Sequence, residues 1–215
     1  MIDYLIDIDT QLLLWLNSMN AEILDPIVKQ FSGKAIWIPL YVAIAAIVIK
    51  ANGWKRGLII IAAIGVAVAC ADMACSKLIR PLAERMRPAN PDNPISALVH
   101  IVDGYRGGRY GFPSCHASNT FALAAITSLM LRYKPYTALI FAWAVLQCYS
   151  RIYLGVHYPG DILVGAILGT GIGVGIYYAV KRYAEPKAIK FAAFAPILYV
   201  GLATLAAIIV IGLVK

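Results

Sequence analysis

Apolar residues gather into six stretches, roughly 34–50, 56–79, 115–132, 135–153, 161–182 and 190–214, separated by basic residues, prolines and polar turns. Crossing about 30 Å of hydrocarbon takes about 20 apolar helical residues, so each stretch reads as a transmembrane helix. The second begins after Trp54-Lys55-Arg56 and ends near Arg80-Pro81, and the fourth follows Lys134-Pro135. Proline suits a first helical turn because the N–H it lacks has no partner there. The fifth stretch carries Gly165, Gly169, Gly171, Gly173 and Gly175, small residues that let helices approach closely in lipid. The expected fold class is all-α, a six-transmembrane-helix bundle.

The first 33 residues break this pattern. Leu12, Leu13, Leu14, Trp15 and Leu16 are apolar, but acids and amides interrupt the surrounding segment. It is too short and mixed to span, and reads as an N-terminal amphipathic interfacial helix, with a second short amphipathic piece around Ile23–Phe31. Packing of this segment against the bundle is compatible with that reading. Residues 81–114 are rich in proline and glycine, including Pro81, Pro88, Pro91, Pro94, Gly104, Gly107, Gly108, Gly111 and Pro113. Such residues mark a loop, and loops this long are uncommon unless functional.

Composition agrees with the pattern. The chain is 61% hydrophobic and 14% charged, with mean hydropathy +0.75. Soluble domains carry about 25% charged residues, so the surplus apolar surface is expected to face lipid. A single membrane-embedded domain over 1–215 is expected. The net charge of +8 falls in turns and motif-like clusters rather than on a duplex-binding face, so no nucleic-acid partner is expected. Cys70, Cys75 and Cys148 lie in or near apolar stretches and read as buried free thiols, while Cys115 lies in a motif. Asp3, Asp7 and Asp9 stand where a signal peptide needs basic residues.

Orientation follows from the short turns. Lys50, Lys55 and Arg56, then Arg132 and Lys134, then Lys181, Arg182, Lys187 and Lys190 fall on one side of six spans. The positive-inside rule puts that side in the cytoplasm. The other side, with the 81–114 loop and the 154–160 turn, then faces outward, toward the periplasm or exterior of a bacterial cytoplasmic (inner) membrane.

Three clusters share that outer side: Arg80-x6-Arg87-Pro88, Pro113-Ser114-Cys115-His116 and Ser150-Arg151-x5-His157-x3-Asp161. If a helix starts near Pro159, the Asp161 carboxylate reaches back to His157, fixing its tautomer and raising the nucleophilicity of the other ring nitrogen. Arg151 can grip phosphate oxygens with a planar fork. The second cluster opens an apolar helix whose free N–H groups and dipole suit an anion. Ser114 can donate its hydroxyl there, and His116 can donate a proton to a leaving oxygen. The guanidiniums of Arg80 and Arg87 can neutralise a phosphate. Taken singly, each cluster also admits a structural reading: a buried ion pair, an ordinary N-cap beside a surface histidine, or arginines snorkelling to headgroups. Lys77, Arg85, Arg106 and Arg109 read only as headgroup or rim contacts, and His100 as structural or rim.

Together the clusters resemble the signature of the type 2 phosphatidic acid phosphatase superfamily: Lys-x6-Arg-Pro, Pro-Ser-Gly-His and Ser-Arg-x5-His-x3-Asp. The third motif matches in full, whereas Arg80 replaces lysine and Cys115 replaces glycine. The resemblance implies an integral-membrane hydrolase of lipid phosphate or diphosphate esters. In it His157 forms a phosphohistidine, Asp161 orients it, and His116 protonates the leaving oxygen and then activates water. Arg80, Arg87, Ser114, the Cys115 amide and Arg151 hold the phosphate, with no cofactor or metal. Candidate lipids are undecaprenyl diphosphate, phosphatidylglycerol phosphate, phosphatidic acid and a lipid A phosphate. Arg80 changes a compact charge into a planar fork, and Cys115 adds a side chain and restricts the backbone if positive φ is needed.

Other functions fit less well. A cysteine phosphatase needs Cys-x5-Arg, but Phe121 follows Cys115 and Pro81 follows Cys75 at that spacing. A haloperoxidase shares the cradle but is expected to carry a further helical domain. A transporter needs ionisable residues within spans, where Asp72 stands nearly alone. A catalytically inactive headgroup-binding protein has no need of His116, His157 and Asp161 together.

Overall fold

The computed structural model describes residues 2–185 and 187–214. Every regular element among them is helical: α1 (Ile2–Asn17), α2 (Asp25–Phe31), α3 (Ile38–Asn52), α4 (Trp54–Met73), α5 (Arg80–Ala83), α6 (Cys115–Leu131), α7 (Lys134–Tyr153), α8 (Pro159–Ala184) and α9 (Phe191–Val214). A π-helical turn over Ala74–Ile79 joins α4 to α5. Such turns often stand at functional sites, and this one delivers Arg80.

Four of these segments are long and apolar enough to cross a membrane: Ala35–Asn52, Trp54–Ala83, Pro159–Ala184 and Phe191–Val214. α6 is apolar but has 17 residues, and α7, with 20 residues, is not among the four. Ile167, Leu163, Val42, Val210 and Leu213 point outward and are exposed, as side chains facing hydrocarbon would be. The core lies between the helices, built around Trp37, Ile60, Ile126, Tyr136, Ile140 and Ile197.

Close packing of α6 on α8 aligns the second and third motifs. Gly165, Gly169 and Gly173 recur every four residues and meet the backbone at Ser114, Ser118 and Ala122 of α6; a Cβ at Gly173 would lie 2.7 Å from the Ala122 carbonyl. Gly171 and Gly175 face open space. Of the five glycines in this span, three therefore make the approach expected from small residues in lipid.

The two ends of the bundle differ. At one end Arg56 pairs with Glu185 at 2.8 Å, and Ile189 N–H donates to the Leu131 carbonyl at 3.0 Å. This end gathers the basic turns. At the other end Asn17 Nδ2 donates to the Tyr153 carbonyl at 2.9 Å, and Gly212 of α9 packs on Ile27 of α2. There the first 33 residues fold into α1 and α2 and pack on the bundle, while Ile2, Tyr4, Leu5, Ile6 and Trp15 remain exposed.

The 84–114 connection is folded. Met86 and Tyr110 form an antiparallel bridge, Arg87 N–H donates to the Arg109 carbonyl at 3.1 Å, and Gly111 N–H donates to the Arg85 carbonyl at 2.8 Å. Ala89 N–H reaches the Gly155 carbonyl at 3.0 Å, which ties this connection to the turn before α8. Its long coil thus has backbone partners, as a half-buried chain requires.

Candidate active site

His157 precedes α8, and Asp161 lies in the first turn of that helix. Tyr158 N–H donates to Asp161 Oδ2 at 3.0 Å, closing a capping box. The same oxygen lies 3.3 Å from His157 Nδ1. The four-residue spacing therefore brings the pair together as expected, because the helix start turns the carboxylate back on the preceding loop. On the far side of the ring, Arg87 Nη1 lies 2.8 Å from His157 Nε2. A guanidinium has no lone pair to offer, so Nε2 is the unprotonated nitrogen and Nδ1–H donates to Asp161. Arg87 Nη1 also donates to the Val156 carbonyl at 2.9 Å. Gly111 closes over this assembly: a Cβ there would lie 3.0 Å from Asp161 Oδ2 and 3.5 Å from His157 Nδ1.

Burial, then the neighbouring charges of Arg87, Arg151 and Arg80, hold the His157 imidazole well below its ordinary pKa. It is neutral at physiological pH, with a lone pair on Nε2. Burial and the like charges of Arg80 and Arg151 also lower Arg87, to about 10, which leaves it cationic at neutral pH.

A cavity of about 360 Å³ brings Arg80, Arg87, Cys115, His116, Arg151 and His157 together. Arg151 Nη1 donates to Ser32 Oγ at 2.6 Å, and its Nη2 donates to the Tyr105 hydroxyl at 3.0 Å. Arg80 Nη2 donates to the Pro113 carbonyl at 2.9 Å. The Nε–H groups of Arg80, Arg87 and Arg151 are buried with no hydrogen-bond partner among the described residues. Unpaired buried donors are costly, and three cationic ones around one cavity are matched by a multivalent oxyanion.

His116 stands in the first turn of α6, where the Cys115 and His116 N–H groups have no intrahelical acceptor. Gln147 Nε2 donates to the Phe31 carbonyl at 2.9 Å, which turns its Oε1 toward His116 Nε2 at 3.0 Å. His116 therefore carries a proton on Nε2, and Nδ1 is its titrating nitrogen. Ser114 is fully buried, caps α6 by accepting from Ala117 N–H at 3.4 Å, and does not line the cavity. Of the eight residues singled out in the three motifs, Ser114 and Asp161 thus stand behind the cavity wall and the other six on it.

The two departures from the family signature touch each other. Arg80 Nη2 donates to Cys115 Sγ at 2.9 Å, and Cys75 Sγ lies 3.9 Å from the same nitrogen. Cys115 occupies the start of a helix and is absent from the positive-φ positions, so a side chain here strains no backbone. All four thiols are free; Cys75 and Cys148 are buried as expected, whereas Cys70 is exposed. His100 pairs with Asp25 at 3.0 Å, away from the cavity.

Sequence reasoning missed Gln147, Ser32, Tyr105, Gly111, Asp9 and the contacts of Arg85. None carries a motif signal, since each becomes part of the site through contacts between elements far apart in sequence.

The model of the PAP2 superfamily matches residues 56–185. A lipid A 4'-phosphatase of Bacteroides thetaiotaomicron is 41% identical over 100% of both chains. A protein of the same name from Porphyromonas gingivalis is 34% identical over 87% of this chain and 83% of its own. Two crystal structures share the fold at 21% identity. The Aquifex aeolicus LpxE structure has a TM-score of 0.58 over 79% of this chain and 94% of its own. The phosphatidylglycerolphosphate phosphatase from Bacillus subtilis has a TM-score of 0.62 over 83% and 87%. With a family model over more than half of its length and a relative similar along all of it, the chain belongs to the PAP2 superfamily.

Proposed function

We propose that the protein is an integral-membrane lipid phosphatase that acts through a phosphohistidine, and that its substrate is a lipid A phosphate monoester. The observation that carries the reaction is the cavity that His157 lines together with Arg80, Arg87 and Arg151, three guanidiniums whose Nε–H groups have no partner among the described residues. The two lipid A 4'-phosphatases among its relatives support the choice of substrate over undecaprenyl diphosphate, phosphatidylglycerol phosphate and phosphatidic acid. A second cavity of about 410 Å³, lined by Tyr41, Ile44, Ile64, Val68, Leu123 and Trp143, meets the first at Lys34 and His116. Its apolar wall suits acyl chains.

In the first step His157 Nε2 forms a bond to phosphorus, Arg87 exchanges its contact with that nitrogen for a phosphate oxygen, and the bond from phosphorus to the lipid oxygen breaks. A phosphate group that enters as its monoanion gives its proton to His116 Nδ1, which passes it to the leaving oxygen. In the second step water attacks phosphorus, His116 Nδ1 takes its proton, and the P–N bond breaks to release phosphate. Arg80, Arg87, Arg151 and the α6 N-terminus stabilise the charge on the equatorial oxygens, with Ser114 acting as the cap that fixes that N-terminus. Asp161 holds the tautomer of His157.

The same reading includes six membrane crossings within a single domain over 1–215, with α6 and α7 as the two crossings beyond the four long apolar segments. The 17 residues of α6 rise about 26 Å, close to the hydrocarbon thickness. The exposed apolar residues of α1 support an interfacial position, and the basic turns at the far end support an outward-facing site. Phosphate release by the purified protein from the four candidate lipids, with and without chelator, tests the reaction. Release from lipid A, undiminished by chelator, is expected; failure on every lipid would sink it.

Arg80 and Cys115 are expected to act as one unit. R80K and C115G should each weaken turnover, and the double variant should depart from the sum of the two by about 0.5–3 kcal/mol, the usual range for residues in contact. A sum additive within about 0.3 kcal/mol would make them independent.

A further inference from the structure

Arg85 bridges two carboxylates that belong to different helices. Its Nη1 lies 3.0 Å from Asp161 Oδ1 and its Nη2 lies 2.7 Å from Asp9 Oδ2. Its guanidinium carbon stacks 3.8 Å over the Tyr158 ring, and its own carbonyl is held by Gly111 N–H. Asp9, on α1, accepts from Gly160 N–H at 2.7 Å, a group of the first turn of α8 that has no partner within the helix. A Cβ at position 160 would lie 2.7 Å from Asp9 Oδ2, so glycine is what lets α1 approach the start of α8.

Neither Asp9 nor Arg85 lines the phosphate cavity. Their effect must pass through Asp161, which is fully buried. Asp161 Oδ2 is shared by His157 and Tyr158 N–H, while Oδ1 has no donor other than Arg85 among the described residues. Without Arg85, half of this carboxylate would be buried unpaired, a state that rotation of the carboxylate relieves at the expense of its contact with His157. Without Asp9, Arg85 would keep its stacking but lose the ion pair that aims its fork.

We propose that Asp9 and Arg85 form a positioning relay that fixes the rotation of Asp161, and hence the Nδ1–H tautomer and aim of His157. The N-terminal helix is thereby a working part of the active site. This assignment rests on the proposed role of His157 as nucleophile.

The test uses the purified full chain with lipid A as substrate and inorganic phosphate as competing ligand. R85M is expected to lower kcat about 10–100-fold, the usual effect of losing a partner that orients a reacting group. KM and the inhibition constant for phosphate should stay within about twofold, because the cradle is untouched. R85K should restore part of the loss. D9N should lower kcat less than R85M, and D9N/R85M should be no worse than R85M, as a series relay requires. R56A, which removes an ion pair at the opposite end, serves as the control and should leave kcat unchanged.

The chain has three histidines, so ¹⁵N imidazole shifts give a readout independent of turnover. His157 should show one Nδ1–H tautomer in the parent and a mixture in R85M and D9N. Unchanged kcat and an unchanged tautomer in folded R85M would overturn the relay, as would equal losses in kcat and phosphate affinity. If R85M fails to fold, D9N and R85K decide on the same criteria. A parent protein silent on every lipid but with a tautomer that responds to R85M would sink the functional reading and leave the relay standing.

Discussion

His157→Ala is expected to lower kcat for phosphate release at least about 10⁴-fold, the scale on which loss of a nucleophile leaves only binding and electrostatic help. The substitution removes the atom proposed to attack phosphorus, and the Cys115 thiol on the same cavity wall is engaged by Arg80 Nη2. Arg87, Arg80 and Arg151 carry no lone pair, and His116 is held by Gln147 on another helix. Binding of inorganic phosphate should survive, since three guanidiniums and the α6 N-terminus remain. Substantial turnover by the variant would remove His157 from the role of nucleophile. The wild-type pH profile offers a second reading. Burial and the nearby guanidiniums depress the His157 pKa well below 6.5, so kcat/KM should show no loss of His157 function as pH falls through 6.5. An acid limb at that pH that disappears on changing His157 alone would contradict it. The depressed pKa also sets the sign of its effect on stability. Below about 6.5 the unfolded chain takes up a proton that folded His157 does not, so this group's contribution is lost as pH falls.

Arg87→Lys is expected to cost about 10²–10³-fold in kcat, the range for removing one preorganised donor to a developing oxyanion. The residue is 7% exposed, and its Nη1 serves both the Val156 carbonyl and His157 Nε2, while Nε–H is left for a ligand. Lysine keeps the charge, but a single ammonium cannot hold the 154–158 turn and a phosphate oxygen in one plane. The shape around Arg87 is equally specific: a Cβ at Gly107 would lie 3.2 Å from its Nε. Loss should appear in kcat and in the inhibition constant for phosphate together, which separates this binding role from the positioning role of Arg85. Near-full kcat in Arg87→Lys would show that charge alone suffices there.

Much of this protein is legible in one dimension. The six apolar stretches match helices within a few residues, because hydrophobicity along a helix long enough to span lipid needs no knowledge of its neighbours. The three motifs were legible for a different reason: each keeps its candidate residues close together along the chain. His157 and Asp161 meet because four residues separate them across a helix start. The sequence could not divide the glycines of α8 into those that meet α6 and those that face outward. Nor could it show that Ser114 turns its hydroxyl to its own helix rather than to the cavity.

Arg85 marks the boundary most clearly. Its position near a motif allowed only a headgroup or rim reading, because what defines it lies on two other helices. Asp9 carried no chemical signal in a segment read as a surface helix, yet it reaches both Arg85 and Gly160. Arg80 and Cys115 looked like two separate departures from a pattern, and contact makes them one. The sequence by itself determined the helical class, the superfamily signature and the candidates for the reacting groups, since these rest on local periodicity and short spacing. Only the tertiary structure decided which nitrogen of His157 and of His116 is free, which donors are left for an anion, and which distant residues hold Asp161 in place. Those properties belong to hydrogen bonds and ion pairs between segments, and no spacing along the chain encodes which segments come to lie side by side.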